Sequence, residues 1–568
     1  MKKRENNDDE DDISIYLGNK GYTIYKEALP KEELDFLREE LTVRAYVPKS
    51  PVQPPSFPVY KESYQKIYIP RFFGMKHYGE PDAIKIPDGV DIDIPFQGSL
   101  RDYQDEVVDI YQRKVGLKPA NDGTPTHTRG GGGLLELCCG AGKTVMALNI
   151  ISKVGKKTLV VVHKGFLLNQ WVERIQQFLP TAKIGRIQGK VIDIEGKDIV
   201  IGMLQSLSMK EYPKSVFESF GLIVVDEVHH ISSEVFSRSL TKIITKYTLG
   251  LSATMNRKDG LTKVFKMFLG EIMYQKKRDG EDNVLVKAID YKIDDDEFNE
   301  MEYDYRGNPK YSTMISKLCG FGRRSDFIVD VIQNEFKVNP DQQMIVLAHN
   351  KNLLTYLHDA VEYRGFATVG YYVGGMKDKD LKISETKKVI IATYAMAAEA
   401  LDIKSLTTLL MATPKTDITQ AVGRILRAKH SQPVVIDIID QHDIFQRQWN
   451  KRRVYFKKQK YTIQRVCGYD NYVNNKWSIV FDPVTMKSCA RKKKGGSSSS
   501  EKITFNRKGK YNTKNKNKNK NKNKNKNKKM NLDLNNDVVE EYQQPKHELL
   551  KGKCLIQPYI HAYELVYK

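Results

Sequence analysis

Between two apolar runs, residues 133–137 and 145–151, lies the stretch Cys138-Cys139-Gly140-Ala141-Gly142-Lys143-Thr144. A strand, a glycine-rich turn and a helix in that order are the context a phosphate-binding loop needs. Glycines let backbone N–H groups turn inward on a polyphosphate, and the start of the helix adds partial positive charge there. Lys143 is placed to reach the β and γ phosphates of ATP, and the Thr144 hydroxyl to ligate Mg2+. The loop departs from the usual pattern at its first glycine position, which holds Leu137.

The surrounding pattern predicts an α/β fold. From about 98 to 270, helical patterns alternate with the apolar runs 158–162, 198–201 and 222–225. After about 322 the pattern resumes, with runs at 344–347, 388–392, 408–411 and 434–438. Continuous apolar strands separated by helices read as parallel sheets buried on both faces. This gives two tandem α/β domains, 98–270 and 322–486, joined by a linker over 271–321. The second has no phosphate loop of its own. An acidic disordered leader (1–12) and a small α+β domain (13–97) precede them. In the small domain a helix starts at Pro30 and runs to Leu41. A proline-rich loop and strand-like aromatic runs, Tyr60 to Tyr68 and Arg71-Phe72-Phe73, follow it. Those Tyr and Arg side chains could stack on bases and neutralise phosphates, or simply fill a core.

The 568 residues suffice for about three or four domains. No run reaches the ~20 apolar residues of a membrane span, and no secretory signal is evident, so no membrane partner is expected. Six scattered cysteines without a C-x-x-C pair support neither a zinc site nor a disulfide framework. A reducing, intracellular compartment is expected. The net charge of +22 says little about the core. Between Lys487 and Lys529 stand 18 Lys/Arg against Glu501 alone, a net of +17 that leaves +5 for the rest. That Lys/Asn-rich stretch, 487–530, reads as a disordered basic segment that attracts polyanions or serves as a linker. The final segment, 531–568, regains apolar character near its end.

Asp226-Glu227-Val228-His229 puts two carboxylates at the C-terminal end of the strand at 222–225, where open α/β sheets bind ligands. Asp226 would hold Mg2+ through water, and Glu227 would orient and deprotonate an attacking water. Ser252-Ala253-Thr254 follows a further strand-like run. In the second domain Gln420, Arg424 and Arg427 stand at i, i+4 and i+7, which places them on one face of a helix. Two arginines there suit a γ-phosphate clamp across a domain interface, a role worth ~10³–10⁵ in rate.

Taken together, these residues resemble a superfamily 2 helicase of the DExH kind. Leu100-Arg101-Asp102-Tyr103-Gln104 resembles the family's entry motif, whose glutamine contacts adenine. The stretch 139–144 resembles motif I, Val161 to Lys164 motif Ia, and Gly202 to Ser206 motif Ib. Asp226 to His229 resembles the DExH box, Ser252 to Thr254 the coupling motif III, and Val346 to Asn350 motif IV. Thr393 with Glu399-Ala400-Leu401-Asp402 resembles motif V, with alanine at a common glycine position, and Gln420 to Arg427 motif VI. The Leu137 substitution, the Gly-Ala-Gly spacing and the run from His163 to Trp171 are similar to the XPB-like group. They are similar also to helicases of large cytoplasmic DNA viruses, including the poxvirus-type transcript-release helicase.

The resemblance implies two RecA-like domains with ATP and Mg2+ between them. Lys143, Asp226, Glu227, Gln420, Arg424 and Arg427 would be catalytic. Gln104, Leu137, Cys138, Cys139, Gly140, Ala141, Gly142, Thr144 and Asp402 would line the nucleotide. It implies an ATP-dependent helicase or translocase gripping DNA or RNA without regard to sequence, in viral transcription or DNA metabolism, with the transcription machinery as a partner. A viral protein of this group would act at a cytoplasmic replication site and be packaged in the virion. The alternatives are a double-strand DNA translocase that separates no strands, an RNA-specific helicase, and an ATP-switched nucleic-acid-binding adaptor. A nuclease-type carboxylate–lysine cluster is not evident, which weighs against a restriction enzyme.

Overall fold

The computed structural model describes residues 14–47, 52–119, 130–138, 140–213, 215–230, 233–255, 257, 259–276, 282–399, 401 and 403–485. The leader 1–12, Cys139, Ala400, Asp402 and the segments 487–530 and 531–568 lie outside them.

The N-terminal unit is a five-stranded sheet in the order β5-β6-β2-β1-β7. Its strands are β1 (Ile15–Gly18), β2 (Gly21–Tyr25), β5 (Lys61–Glu62), β6 (Lys66–Ile69) and β7 (Ala83–Ile84). A small ribbon of β3 (Thr42–Val43) and β4 (Phe57–Pro58) lies between them in sequence. The helix expected after Pro30 spans Lys31–Glu40, with Glu32 and Glu33 at its N-terminal turn and Arg38 at its last. That distribution complements the helix dipole. Arg71-Phe72-Phe73 is not a strand. It opens a helix, Arg71–Tyr78, because Pro70 presets the entry and Phe73 meets His77 one turn on, with ring centroids 4.2 Å apart.

This unit is not independent. Tyr22, Ile24, Leu37, Ile67 and Phe73 share one apolar core with Val264, Phe265 and Phe268 of the next domain. Arg71, almost fully buried, donates to the carbonyls of Lys246 (2.8 Å) and Thr245 (3.3 Å). Burial holds its guanidinium down at about 10.

The first large sheet runs β11-β10-β12-β9-β13-β14-β8-β15. Its strands are β8 (Gly131–Leu137), β9 (Thr158–Val162), β10 (Ile184–Gln188), β11 (Val191–Asp193), β12 (Ile199–Met203), β13 (Leu222–Val225), β14 (Tyr247–Ser252) and β15 (Ile272–Lys276). The second runs β18-β19-β17-β20-β21-β16-β22-β23. Its strands are β16 (Leu285–Tyr291), β17 (Met344–Ala348), β18 (Val369–Tyr372), β19 (Val389–Thr393), β20 (Thr408–Met411), β21 (Val434–Asp440), β22 (Thr462–Cys467) and β23 (Ser478–Phe481). All pairings are parallel except those of the edge strands β11 and β23. Two tandem RecA-like parallel sheets are therefore the fold. Among the described residues no helix is long and apolar enough to cross a membrane.

The stretch 271–321 is not a linker. β15 completes the first sheet beside β8, and β16 sits inside the second between β21 and β22. Lys287 and Asp290 interrupt the apolar pattern of β16, which hides the strand from sequence. Both are neutralised: Lys287 by Glu335 (2.7 Å), and Asp290 by a two-point contact with Arg465 (2.7 and 2.8 Å).

Two buried, two-pronged ion pairs fasten β21. Arg324 Nε and Nη2 donate to Asp440 at 2.5 and 2.8 Å, and Arg452 Nε and Nη2 to Asp437 at 2.7 and 3.0 Å. Removing one partner leaves the other charge buried and alone, which costs ~3–5 kcal/mol. Arg324→Ala is expected to lower unfolding free energy by about that amount in denaturant titration, whereas the double change Arg324→Met, Asp440→Leu should recover most of it.

Candidate active site

Parallel pairing of β13 with β14, and of β14 with β8, brings the ends of all three strands to one edge. The loops leaving that edge are the phosphate loop, Asp226 to His229, and Ser252 to Thr254. Leu137, the last residue of β8, is fully buried, so its side chain belongs to the core and only its backbone borders the loop. Cys138 closes a turn, its carbonyl accepting from the Ala141 amide at 3.2 Å. Gly140 and Gly142 both have left-handed backbones, φ 82° and 80°, and Gly142 caps the helix Lys143–Val154 that Thr144 helps to open. A methyl group at Gly142 would stand 2.4 Å from Gln104 Nε2.

Gln104 is buried, and its amide is bound at both ends by protein. Nε2 donates to the Ala141 carbonyl (2.9 Å), and Oε1 accepts from the Arg101 amide (2.9 Å). Tyr103 Oη donates to the same Ala141 carbonyl at 2.7 Å, with the Lys276 ammonium 3.9 Å from its ring centroid. The entry motif therefore grips the phosphate loop directly, a contact that the expectation of adenine recognition did not include.

Lys143 Nζ lies 3.2 Å from Glu227 Oε1, and Glu227 Oε2 lies 3.3 Å from His229 Nδ1. His229 Nδ1 is also 2.7 Å from Ser252 Oγ, and its Nε2 is 3.4 Å from Gln420 Nε2 in the second domain. Proton roles follow from donor counting. Ser252 has a single hydroxyl proton, which it donates to the Thr254 carbonyl at 2.6 Å, so it accepts from His229 Nδ1–H. The other ring nitrogen, Nε2, faces the Gln420 amide across the domain interface. Lysine, glutamate, histidine, serine and glutamine thus form one polar chain that crosses the domain interface. Glu227 occupies a left-handed backbone, φ 46°, a conformation that costs on the order of 1–3 kcal/mol outside glycine.

Asp226 is 6% exposed. Burial, and then the Glu227 charge, push its carboxyl up to about 6. Three neighbours oppose the shift: Trp171 Nε1 at 2.8 Å, the Lys143 ammonium charge, and the Glu227 amide at 2.9 Å. A buried carboxylate beside the phosphate loop suits a divalent ion. Trp171 had no assigned role in the sequence, and neither did Arg257, which donates to the His229 carbonyl at 2.9 Å and is held by Asp259. Both act on residues far away in the chain, and neither sits in a pattern that would reveal it.

Gln420, Arg424 and Arg427 do not share a helix face. The helix Thr419–Arg424 ends before Arg427, which follows on a turn. Arg424 is buried, and its Nη1 donates to the Leu401 carbonyl at 2.8 Å. The Arg427 Cα would be 3.8 Å from a Cβ on Gly140, so the turn abuts the phosphate loop. Asn169 and Glu173 of the first domain meet Asp378 and Lys382 of the second, at 2.5 and 2.6 Å. Gln205 Nε2 donates to the His163 carbonyl (2.8 Å), joining the two segments that resemble motifs Ia and Ib. In the second, His349 Nδ1 lies 2.8 Å from Thr413 Oγ1, and burial holds its imidazole down at about 4.

A family model described as "Type III restriction enzyme, res subunit" matches residues 97–257. A protein of Acanthamoeba polyphaga mimivirus, named as a candidate ATP-dependent RNA helicase, is 36% identical over 459 residues, 78% of this chain and 85% of that protein. A candidate helicase of Invertebrate iridescent virus 6 is 25% identical over 393 residues, covering 65% of this chain and 83% of its own length. Among solved structures, S. cerevisiae Dbp5 bound to RNA and ADP BeF3 aligns with a TM-score of 0.44 and 13% identity, over 64% of this chain and 90% of its own. The chain belongs to the superfamily 2 helicases of the large DNA virus group. It is an ATP-dependent, ATP-hydrolysing nucleic-acid helicase.

Because its carboxyl is raised above the ordinary value of ~4, ionised Asp226 costs stability above about pH 6, and the cost fades as pH falls through 6 toward 4. Trp171→Phe deletes a donor to the charged form and enlarges that cost. Urea unfolding should show the variant's deficit to be ~1.5–3 kcal/mol larger at pH 8 than at pH 5. A deficit independent of pH would mean the indole only fills space.

Proposed function

We propose that this helicase acts on RNA, in viral transcription, and that it uses Mg2+ with ATP. The mimivirus relative's name supports RNA over DNA. The observation that carries the mechanism is the polar chain from Lys143 through Glu227 and His229 to Gln420. A γ-phosphate would compete with Glu227 for the Lys143 ammonium. Glu227, so released, would orient and deprotonate a water, while its tie to His229 reports the change to Ser252 and Gln420. Bound Mg2+ would neutralise phosphate charge, held by the Thr144 hydroxyl and, through water, by Asp226. Arg427, beside the phosphate loop, would stabilise charge developing on the γ-phosphate, with Arg424 holding the segment at Leu401 in place. Loss of that phosphate alters the contact between the domains, and the strand is moved by the resulting opening and closing.

Lys143→Ala should abolish RNA-stimulated ATP hydrolysis while leaving the thermal unfolding curve intact; preserved stimulated turnover would refute the assignment. For Arg427→Ala, ATP binding should persist and hydrolysis slow by ~10³-fold or more. Strand displacement on matched RNA and DNA duplexes tests the substrate, and activity confined to DNA would exclude RNA.

A further inference from the structure

The N-terminal sheet has two unlike faces. Tyr22, Ile24, Ile67 and Ile69 point into the shared core, and Leu17, buried opposite Tyr22, lies on the same side. The register places Tyr16 opposite Thr23, Thr23 opposite Tyr68, Tyr68 opposite Lys61, and Tyr25 opposite Lys66, so these residues share the other face. Lys85, just past β7, and Lys20, in the β1–β2 turn, border the same rings. Lys20 Nζ lies 4.6 Å from the Tyr68 ring centroid, and Lys85 Nζ 5.1 Å from that of Tyr16. Lys66 Nζ lies 4.1 Å from the Tyr25 centroid and 3.2 Å from the Tyr16 hydroxyl. No strand position of this face carries an acid.

A solvated sheet face ordinarily mixes both signs of charge. Four lysines here stand together, three of them ordered against tyrosines. Cation–π contacts restrain their long side chains, so less entropy is lost when an anion arrives. The face also continues toward the segment that resembles motif Ib. Lys61 lies in the field of the Lys242–Glu211 ion pair (2.9 Å), and Lys242 also donates to the Lys210 carbonyl (2.8 Å) just past the helix Leu204–Met209. Five strands at ~4.8 Å spacing make a platform roughly 19 Å wide. Four-stranded sheets with aromatic faces elsewhere stack two or three bases.

We infer that this lysine–tyrosine face is a second binding surface for single-stranded RNA, holding the strand outside the cleft between the RecA-like domains. It rests on the RNA reading above. Phosphates meet the lysines, and the half-buried tyrosine rings meet bases or sugars at their edges.

The test compares the full chain with the triple variant Lys61→Ser, Lys66→Ser, Lys85→Ser, using 30-nucleotide and 8-nucleotide RNA in fluorescence anisotropy over a salt series. The expected results are at least a tenfold weaker Kd for the long RNA and a salt slope smaller by about 2, at ~0.7 per phosphate contact. ATPase activity stimulated by saturating 8-nucleotide RNA should be unchanged. The double variant Lys61→Gln, Lys85→Gln alters only exposed side chains and serves if the triple does not fold; its slope should fall by about 1.4. Wild-type affinity and slope in the variants would overturn the inference, as would a loss seen on 30-nucleotide DNA alone. If RNA fails to stimulate the wild type, the RNA reading fails and takes this surface with it. RNA-stimulated wild type with unaltered variant binding overturns the surface alone.

Discussion

Parallel hydrogen bonding among β13, β14 and β8 is the constraint from which the rest of the site follows. Parallel strands end on the same side, so three loops spread over more than a hundred residues of chain emerge within reach of one another. Each strand is buried on both faces, and a slip in register would displace apolar side chains from two cores at once. Position is thus fixed by burial, while the chemistry is left to short loops beyond the strand ends. The left-handed Glu227 shows what that security permits: a strained backbone is tolerable where its neighbours are pinned.

His229 is the hinge between chemistry and motion. One ring nitrogen serves the first domain, toward Ser252 and Glu227, and the other faces Gln420 in the second. An imidazole suits this position because its two nitrogens point to opposite sides of one rigid ring and can meet two partners at once. A lysine could only donate and a carboxylate could only accept. Any change in what Glu227 binds therefore alters a contact that spans both domains, without a long relay of side chains.

Much of this was legible in the sequence, for physical reasons. Strands such as 158–162 and 408–411 are uninterrupted apolar runs because both faces are covered, and the phosphate loop announces itself by glycines that no other residue could replace at φ near 80°. What stayed hidden involved compensation across distance. β16 looks polar until Glu335 and Arg465 are seen beside it. Trp171 looks like an ordinary core residue until its indole N–H is found on Asp226. Arg427 fits a helical spacing, yet the helix stops at Arg424 and the segment carrying Arg427 lies beside the phosphate loop. Spacing reveals which residues keep company locally; it says nothing about partners brought in by the fold.

The apolar core shared by the N-terminal sheet and the first RecA-like domain has a practical consequence. A fragment beginning near residue 98 would keep every motif of the ATP site but would bare the flank of the helix Thr262–Leu269, where Val264, Phe265 and Phe268 now lie covered. Apolar surface of that kind drives self-association. The smallest piece of this protein with its apolar core covered is therefore longer than the smallest piece that contains its chemistry.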